Sequence, residues 1–254
     1  MDYSYSEAVS EEFFSIECRI HYEIFVKCFH CLFDIPMLCS IPGLIYLAPT
    51  TGEDYFAMLR WAILQDKKPI AIRVPSNGVH HTTETVDAEY SYESKYKVMR
   101  EGLEVAIIAA GSFYQKGENV MKLLADKGID ATLINPRYLN AVDAETLDSL
   151  KANHKLVVTL EDGCKDGGFG ERIASYYATS DMKVLVGGIK KDLYDRFDLH
   201  QLLSDNRLLD EQIVEDVIAI IRYTAKIISS DAQGMGKRYQ PSAVQVTPGH
   251  SRLQ

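Results

Sequence analysis

Strands and helices alternate along the second half of this chain, and this alternation limits the fold more than any other feature. The run EVAIIAAG (Glu104 to Gly111) is apolar and of strand length, and the amphipathic segment after it closes at Gly128. Strands separated by helices pair in parallel through right-handed crossovers. We therefore predict a compact α/β domain with at least four strands. Its other elements are the strands DATLINPRYL, KLVVTLED and MKVLVGG, the helix DAETLDSLKAN, a helix from Glu171, and the long closing helix LDEQIVEDVIAII.

A shorter strand-helix-strand unit precedes this domain. LIYLAP (Leu44 to Pro49) predicts a strand, and PIAIRVP (Pro69 to Pro75) predicts a second strand that is covered on both faces. Between them, Thr50 and Glu53 have the spacing of a capping box, which predicts a helix start. No complete domain pattern precedes this unit. We therefore expect the chain to begin within a domain rather than at its start.

The polar, tyrosine-rich stretch at residues 79–100 predicts a linker between the two units. Its pair His80-His81 invites a ligand-binding interpretation, although adjacent histidines in a polar loop are more often bystanders. We therefore divide the chain into an unassigned segment at 1–29, a first unit at 30–78, the linker at 79–100, a second unit at 101–229 and a disordered tail at 230–254.

Charge and composition exclude several classes of function. The chain of 254 residues has 27 basic and 36 acidic side chains, a net charge of −9, which argues against a surface dedicated to nucleic acid or anionic membrane. No apolar run approaches the ~18–20 residues of a transmembrane helix, and the acidic N-terminus is unlike a signal peptide. These features predict a cytoplasmic protein.

The five cysteines are an odd number, which favours reduced thiols in such a protein. A zinc site is the alternative, because Cys28 and Cys31 are separated by two residues and have His21, His30 and Cys39 nearby. No second closely spaced Cys/His pair follows, and the surrounding residues are apolar. Buried thiols are the preferred interpretation, and no metal site is assigned.

A glycine-rich loop separates a predicted strand from a predicted helix. LEDGCKDGGFGERIA carries Gly163, Gly167, Gly168 and Gly170, and exposed amides at the helix start could hold a phosphate. The spacing is neither that of a dinucleotide-binding fingerprint nor that of a Walker loop. The alternative is that the glycines allow a tight turn and close packing of the helix on the sheet.

Several blocks, in order, resemble the 1-deoxy-D-xylulose-5-phosphate synthases, which are thiamine-diphosphate enzymes of the transketolase superfamily. The blocks are HCLFDIPMLCSIPGLIYLAPTTGEDYFAMLRWA, KPIAIRVPSNG, REGLEVAIIAAGSF, GIDATLINPRYLNAVDAETL, HKLVVTLEDGCKDGGFGERI and GIKKDLYDRFDLHQLLSDNRLLDEQIVEDV. The similarity runs from about His30 to Ile220. It implies an α/β fold in which a partial pyrimidine-binding (transketolase central) domain is followed by a transketolase C-terminal-like parallel-sheet domain.

The resemblance also implies an activity and what that activity requires. Family members use thiamine diphosphate and magnesium to condense pyruvate with glyceraldehyde 3-phosphate, a transferase reaction in isoprenoid (terpenoid) and thiamine biosynthesis. The domain that holds the diphosphate and magnesium, and the central-domain glutamate that activates the cofactor, have no counterpart among these blocks. We therefore expect the isolated chain to bind neither cofactor and to be inactive without a diphosphate-binding domain.

Family motifs suggest four site residues. His30, ahead of Phe33-Asp34, resembles a histidine that reaches the substrate, although Phe29 replaces the family's threonine and the spacing is one residue shorter. In the family's second motif two arginines lie three residues apart and the second holds the substrate phosphate.

IRVPSNG matches that second motif. Arg73 aligns with the first arginine, and Ser76 replaces the second. Ser76 and Asn77 could still donate hydrogen bonds to a phosphate, but the bidentate charge-assisted contact is lost.

Two hypotheses about partners follow. In the first, the chain is part of a synthase, self-associating as a homodimer or joined by a separate chain that supplies the thiamine-diphosphate site, like the beta-type subunit of a split transketolase or 2-oxo acid dehydrogenase. In the second, it is a catalytically silent module for dimerisation or interaction. Neither hypothesis involves nucleic acid or a membrane.

Overall fold

The computed structural model of the chain describes residues 32–74, 80–83, 85–87, 90–194 and 197–235. In chain order its elements are α1 (Asp34–Cys39), β1 (Ile45–Leu47), α2 (Gly52–Leu64), β2 (Ile70–Ile72), β3 (Lys97–Arg100), β4 (Glu104–Ala109), a short 3-10 helix (Gly111–Phe113), α3 (Tyr114–Asp126), β5 (Ala131–Asn135), α4 (Ala144–Leu150), β6 (His154–Cys164), α5 (Phe169–Tyr177), β7 (Lys183–Ile189), α6 (Leu199–Asp205) and α7 (Asp210–Met235).

The larger sheet has the strand order β3-β5-β4-β6-β7. Strands β4 to β7 pair in parallel, as the alternation of strands and helices predicts. All of β5 is buried, and so is β4 apart from its first residue. Helices α3 and α5 pack on this sheet through residues such as Val120 and Ile173, which are fully buried. The predicted parallel α/β domain is confirmed.

Strand β3 is an addition that the sequence analysis did not predict. It pairs antiparallel with β5 at the edge of the sheet, with a register shift between Val98 and Arg100. Its last three residues are exposed, as is common on an edge strand, so the segment lacks the apolar pattern of an interior strand. The end of the stretch assigned as a linker is therefore part of the larger sheet.

A second, two-stranded sheet joins β1 to β2 in parallel. The other edge of β1 is paired with the segment that follows β5. Ala48 N donates to Arg137 O and Leu139 N to Tyr46 O, each at 2.8 Å. All of β1 is buried, whereas β2 is only half-buried rather than covered on both faces, because in the part of the chain described here it is an edge strand. These bonds connect the two sheets.

Helix α2 begins one residue later than the sequence predicts. Thr51 is its N-cap and accepts a hydrogen bond from Asp54 N at 3.1 Å, while Asp54 accepts one from Thr50 N at 3.1 Å. Glu53 instead accepts from Thr82 N at 2.9 Å. The capping-box assignment of Thr50 and Glu53 is wrong, because the cap is Thr51 and the Asp54 carboxylate accepts the N–H of Thr50, the residue before the cap.

The described residues up to 217 form one compact unit, and those from 218 to 235 belong to a second. Both sheets lie in the first. In the second, the end of α7 is helical to Met235, past the start assigned to the tail, and Thr224 Oγ1 donates to Ile220 O at 2.8 Å. Helices long and apolar enough to cross a bilayer are absent from the described residues. The domain boundaries assigned from sequence, including the partial pyrimidine-binding domain, stay a prediction.

Candidate functional site

Of the four site residues suggested by family motifs, only Arg73 belongs to the described part of the chain. His30, Ser76 and Asn77 lie outside the described residues. Arg73 follows β2 directly and is 9% exposed, so its guanidinium is buried. Because a buried cation requires partners, the contacts of Arg73 define the candidate site.

Two carboxylates bind the Arg73 guanidinium. Its Nε donates to Asp34 Oδ2 at 2.6 Å and its Nη2 to Asp34 Oδ1 at 3.3 Å, a two-pronged contact, while its Nη1 donates to Asp162. Asp34 also accepts a hydrogen bond from the Tyr46 hydroxyl at 2.7 Å, and Asp162 from the Ser112 hydroxyl at 2.6 Å. We call Asp34, Arg73 and Asp162 the ion cluster.

Three separate elements bring the ion cluster together. Asp34 is the first residue of α1, Arg73 follows β2, and Asp162 lies near the end of β6. Burial alone would lower the pKa of Arg73, but the charges of Asp162 and Asp34 raise it well above its ordinary value. The Arg73 guanidinium therefore stays charged, and the cluster connects the segment before residue 74 to the larger sheet.

The amides of the glycine loop next to the ion cluster already bind a side chain of the chain itself, the carboxyl group of Glu161. The fully buried Glu161 carboxylate accepts Phe169 N at 3.0 Å and Gly170 N at 2.8 Å, the first amides of α5. A Cβ at Gly168 would lie 2.7 Å from both Glu161 oxygens. The interpretation that these amides bind a phosphate is wrong, because they already donate to Glu161.

Burial raises the pKa of Glu161 to about 7, while the amide hydrogen bonds and the charge of Arg73 act to lower it. This carboxyl group can therefore take up a proton near neutral pH. Sequence reasoning singled out the glycines and not Glu161 and Asp162. The signal that could have identified them is the adjacent acidic pair at the end of an otherwise apolar strand.

The two described cysteines are thiols, Cys164 buried and Cys39 half-buried. Cys39 and Cys164 are free, and burial raises the pKa of Cys39 to about 11. The other residues of the zinc alternative, His21, Cys28, His30 and Cys31, lie outside the described residues. Within the described ranges no group of three His, Cys, Asp or Glu side chains could hold a metal ion.

The histidine pair lies beside the start of α2. The backbone oxygen of His80 accepts Gly52 N at 2.9 Å, and His81 Nδ1 lies 2.8 Å from Glu53 Oε1 in an exposed contact. These contacts hold the loop against the helix start. Neither histidine belongs to the ion cluster.

Comparison with protein families and curated proteins identifies what this architecture resembles. Residues 94–197 match the family model "Transketolase, C-terminal domain". The chain is similar to 1-deoxy-D-xylulose-5-phosphate synthases from Clostridium tetani (29% identical, covering 75% of this chain and 31% of the relative) and Lachnoclostridium phytofermentans (33%, 75% and 29%). A third, from Gloeobacter violaceus, is 33% identical over 71% of this chain and 28% of the relative. The chain thus spans about 30% of the length of these relatives.

A solved structure shares the fold. It is described as a split gene transketolase, an inactive beta4 tetramer, and superposes with a TM-score of 0.62 at 23% identity, covering 74% of this chain and 60% of that one. At this identity the likeness concerns the fold alone. It agrees with the mostly parallel sheet described above.

Proposed function

We infer that this chain, which carries a transketolase C-terminal domain at residues 94–197, contributes the C-terminal portion of a 1-deoxy-D-xylulose-5-phosphate synthase-like enzyme. The observation that supports this function best is the similarity over about 190 residues to synthases from several bacteria. The reaction of that family joins pyruvate to glyceraldehyde 3-phosphate. Thiamine diphosphate supplies the electron sink for loss of carbon dioxide from pyruvate.

In this proposal the chain supplies groups that face substrate rather than the groups that anchor the cofactor. His30 transfers a proton near neutral pH, and Ser76 and Asn77 donate hydrogen bonds to the substrate phosphate. Arg73 is a positioning residue, because its guanidinium is held by Asp34 and Asp162. Its ion pairs fix the backbone from which the segment bearing Ser76 and Asn77 continues.

The cofactor diphosphate and its magnesium would be held by a different polypeptide segment or a second chain. Among the described residues we find no acidic cluster suited to a metal ion, and the net charge of −9 opposes an unscreened diphosphate. The split gene transketolase that shares the fold is an example of a transketolase made from more than one gene product. We propose the same arrangement here.

Self-association is part of the proposal. Two apolar side chains between residues 35 and 47 are exposed, Met37 at 44% and Ile41 at 46%, whereas Ile35 and the whole of β1 are buried. Three apolar side chains of α2 are exposed to a greater fraction: Phe56 is 54% exposed, Ile63 72% and Leu64 79%. We propose that this helix contacts the second copy or the partner chain.

A chimera tests the function. In it, this chain replaces the matched region of the Clostridium tetani synthase, and condensation of pyruvate with glyceraldehyde 3-phosphate is assayed. Restored activity supports the proposal. A chimera that folds and binds thiamine diphosphate but makes no product supports the alternative, a catalytically silent interaction module.

The isolated chain provides the second arm of the test. Calorimetric titration with thiamine diphosphate and magnesium, together with a pyruvate decarboxylation assay, should give neither binding nor turnover. Micromolar binding or turnover by the chain alone would overturn the proposal that another segment holds the cofactor. Sedimentation across micromolar concentrations should show oligomers, and a monomer throughout would contradict self-association.

A further inference from the structure

A cavity of about 190 Å³ lies beside the start of α2. It is lined by the start of α2, residues 80–82 and 85–87, β3, the start of α3, the end of β5 and Arg137. A single water molecule needs only ~10–15 Å³, so the cavity admits a small solute. The residues of the ion cluster do not line it, and the proposed synthase function makes no use of it.

Asn135, the last residue of β5, presents an open donor to this cavity. The residue is 5% exposed, and its Oδ1 accepts the backbone N–H of Arg137 at 3.0 Å. Because the oxygen is fixed in this way, the amide nitrogen is directed away from that bond. Within the described residues this nitrogen has no acceptor. The nitrogen is not among the buried atoms without a partner in the described residues, so solvent reaches it from the cavity, and an acceptor group of a bound solute could replace that water.

Positive charge lies along the same wall. Lys97 Nζ lies 3.0 Å from Asp87 Oδ1, and Arg137 Nη1 lies 2.6 Å from Asp87 Oδ2, and all three residues line the cavity. One carboxylate therefore serves two cations, which leaves a surplus of positive charge beside the Asn135 amide. An amide donor next to an ammonium group is a suitable site for a carboxylate.

Negative charge in the lining comes from Glu118. Its Oε2 accepts from Gln115 Nε2 at 2.7 Å, which leaves the second carboxylate oxygen for a cation. The other acidic group, Asp54, is buried and already accepts from Thr50 N and from the Tyr90 hydroxyl. Glu118 is thus the group in this lining that suits an added ammonium ion.

We propose that this cavity binds a small α-amino acid in its zwitterionic form. The carboxylate of the ligand accepts from Asn135 Nδ2 and Lys97 Nζ, its ammonium group donates to Glu118, and its side chain lies against Met99. The lining holds three carboxylates against one lysine and one arginine, so a dianion such as a phosphate ester is disfavoured, whereas a zwitterion adds no net charge.

Titration of the full chain tests the proposal. The probes are glycine, L-serine and L-leucine, with L-lactate and ethanolamine as ligands that each lack one of the two charges. We expect saturable heats and a raised melting temperature with at least one amino acid, at a Kd of ~1 mM or tighter, and at least tenfold weaker binding of L-lactate and ethanolamine. Lactate binding as tightly as the amino acids would overturn the zwitterion assignment, and no saturable binding up to ~10 mM would overturn the site.

Matched variants locate the binding. Asn135→Asp keeps the oxygen that accepts from Arg137 N and replaces only the open donor, so amino-acid affinity should fall about tenfold or more. Asn153→Asp makes the same chemical change at an exposed residue outside the cavity and should leave affinity unchanged. Glu118→Gln and Lys97→Met, at side chains that are not fully buried, are a second pair should Asn135→Asp fail to fold. Equal affinity in all folded variants would overturn the proposal.

Discussion

Glu161 and Gly170 are joined by a hydrogen bond of 2.8 Å in which the buried carboxylate accepts the backbone N–H at the start of α5. A helix N-terminus attracts anions because its first amides lack partners within the helix. Here the neighbouring strand supplies the anion. The glycines that suggest a phosphate loop are therefore glycines that make room for Glu161, since a Cβ at Gly168 would collide with it.

The first prediction concerns pH. The pKa of Glu161 is about 7 in the folded chain against an ordinary 4.5, so the folded state binds more protons between these values. The stability that Glu161 contributes is therefore fully present below pH 4.5 and falls as pH rises towards 7. The loss in the free energy of unfolding is on the order of 3 kcal/mol, because one pKa unit corresponds to about 1.36 kcal/mol. Glu161→Gln should remove this part of the slope in urea unfolding measured from pH 4.5 to 8.

Glu171→Gln is the control for that experiment, because it removes an exposed carboxylate that contacts the same loop at Gly167 N. Its stability should follow pH as the unmodified chain does. If the free energy of unfolding of Glu161→Gln changes with pH as that of the unmodified chain does, the raised pKa of Glu161 is contradicted.

The second prediction concerns the ion cluster. Arg73→Met leaves Asp34 and Asp162 facing each other without their shared cation, and the free energy of unfolding should fall by about 3–5 kcal/mol. Arg100→Met is the matched control, because Arg100 pairs with Asp130 across a half-exposed contact of 3.2 Å and should cost less than about 1 kcal/mol. Similar losses in both variants, measured by urea unfolding, would show that the cluster contributes little.

The third prediction concerns close packing at the glycine loop. A Cβ at Gly170 would lie 2.5 Å from Thr159 Oγ1 and 2.6 Å from a Val186 methyl carbon, so Gly170→Ala should lower stability by about 2–3 kcal/mol. Gly128 has a φ of +78° but open space around it, so Gly128→Ala should cost only about 1 kcal/mol of backbone strain. Thermal unfolding that ranks the two variants in the opposite order would refute this account.

The fourth prediction concerns the start of α2. Thr51→Ala removes the hydroxyl that accepts Asp54 N and should cost about 1 kcal/mol of folding stability. Thr50→Ala should change stability by no more than about 0.5 kcal/mol, because the contact of Thr50 with Asp54 is made by its backbone N–H. The comparison is decided by chemical denaturation of both variants, and a larger loss for Thr50→Ala would place the cap at Thr50.

Sequence patterns predict the interior of this fold better than its edges. Strands β4 to β7 are largely apolar runs between helices, so composition and spacing suffice to place them. Strand β3 escapes such reasoning because KVMR has no alternation, and its conformation depends on pairing with β5 far along the chain. The cap of α2 is misplaced by one residue because Glu53 and Asp54 are both suitable acceptors, and tertiary contacts with Thr82 decide between them.

The candidate site divides in the same way. A loop rich in glycine between a strand and a helix is visible in the sequence, but the anion that fills it is not, because the contact of Glu161 with the helix start depends on how the strand and helix pack. Arg73 and Asp162 are 89 residues apart, and no local pattern connects them. The family motif suggested Arg73 as a site residue, which stays a prediction, whereas its partners became apparent only from the fold.

The pairing of β1 with the segment after β5 limits where this molecule can be divided. A polypeptide that began at residue 94, where the match to the transketolase C-terminal domain begins, would lose β1 and Arg73 together. The backbone oxygen of Arg137 and the backbone N–H of Leu139 would then lose their partners in β1 and Ala48, and Asp162 would lose Arg73 while keeping the Ser112 hydroxyl. Gene fission or exchange of this domain between relatives should therefore succeed at a breakpoint upstream of α1 and fail at one placed at the family boundary.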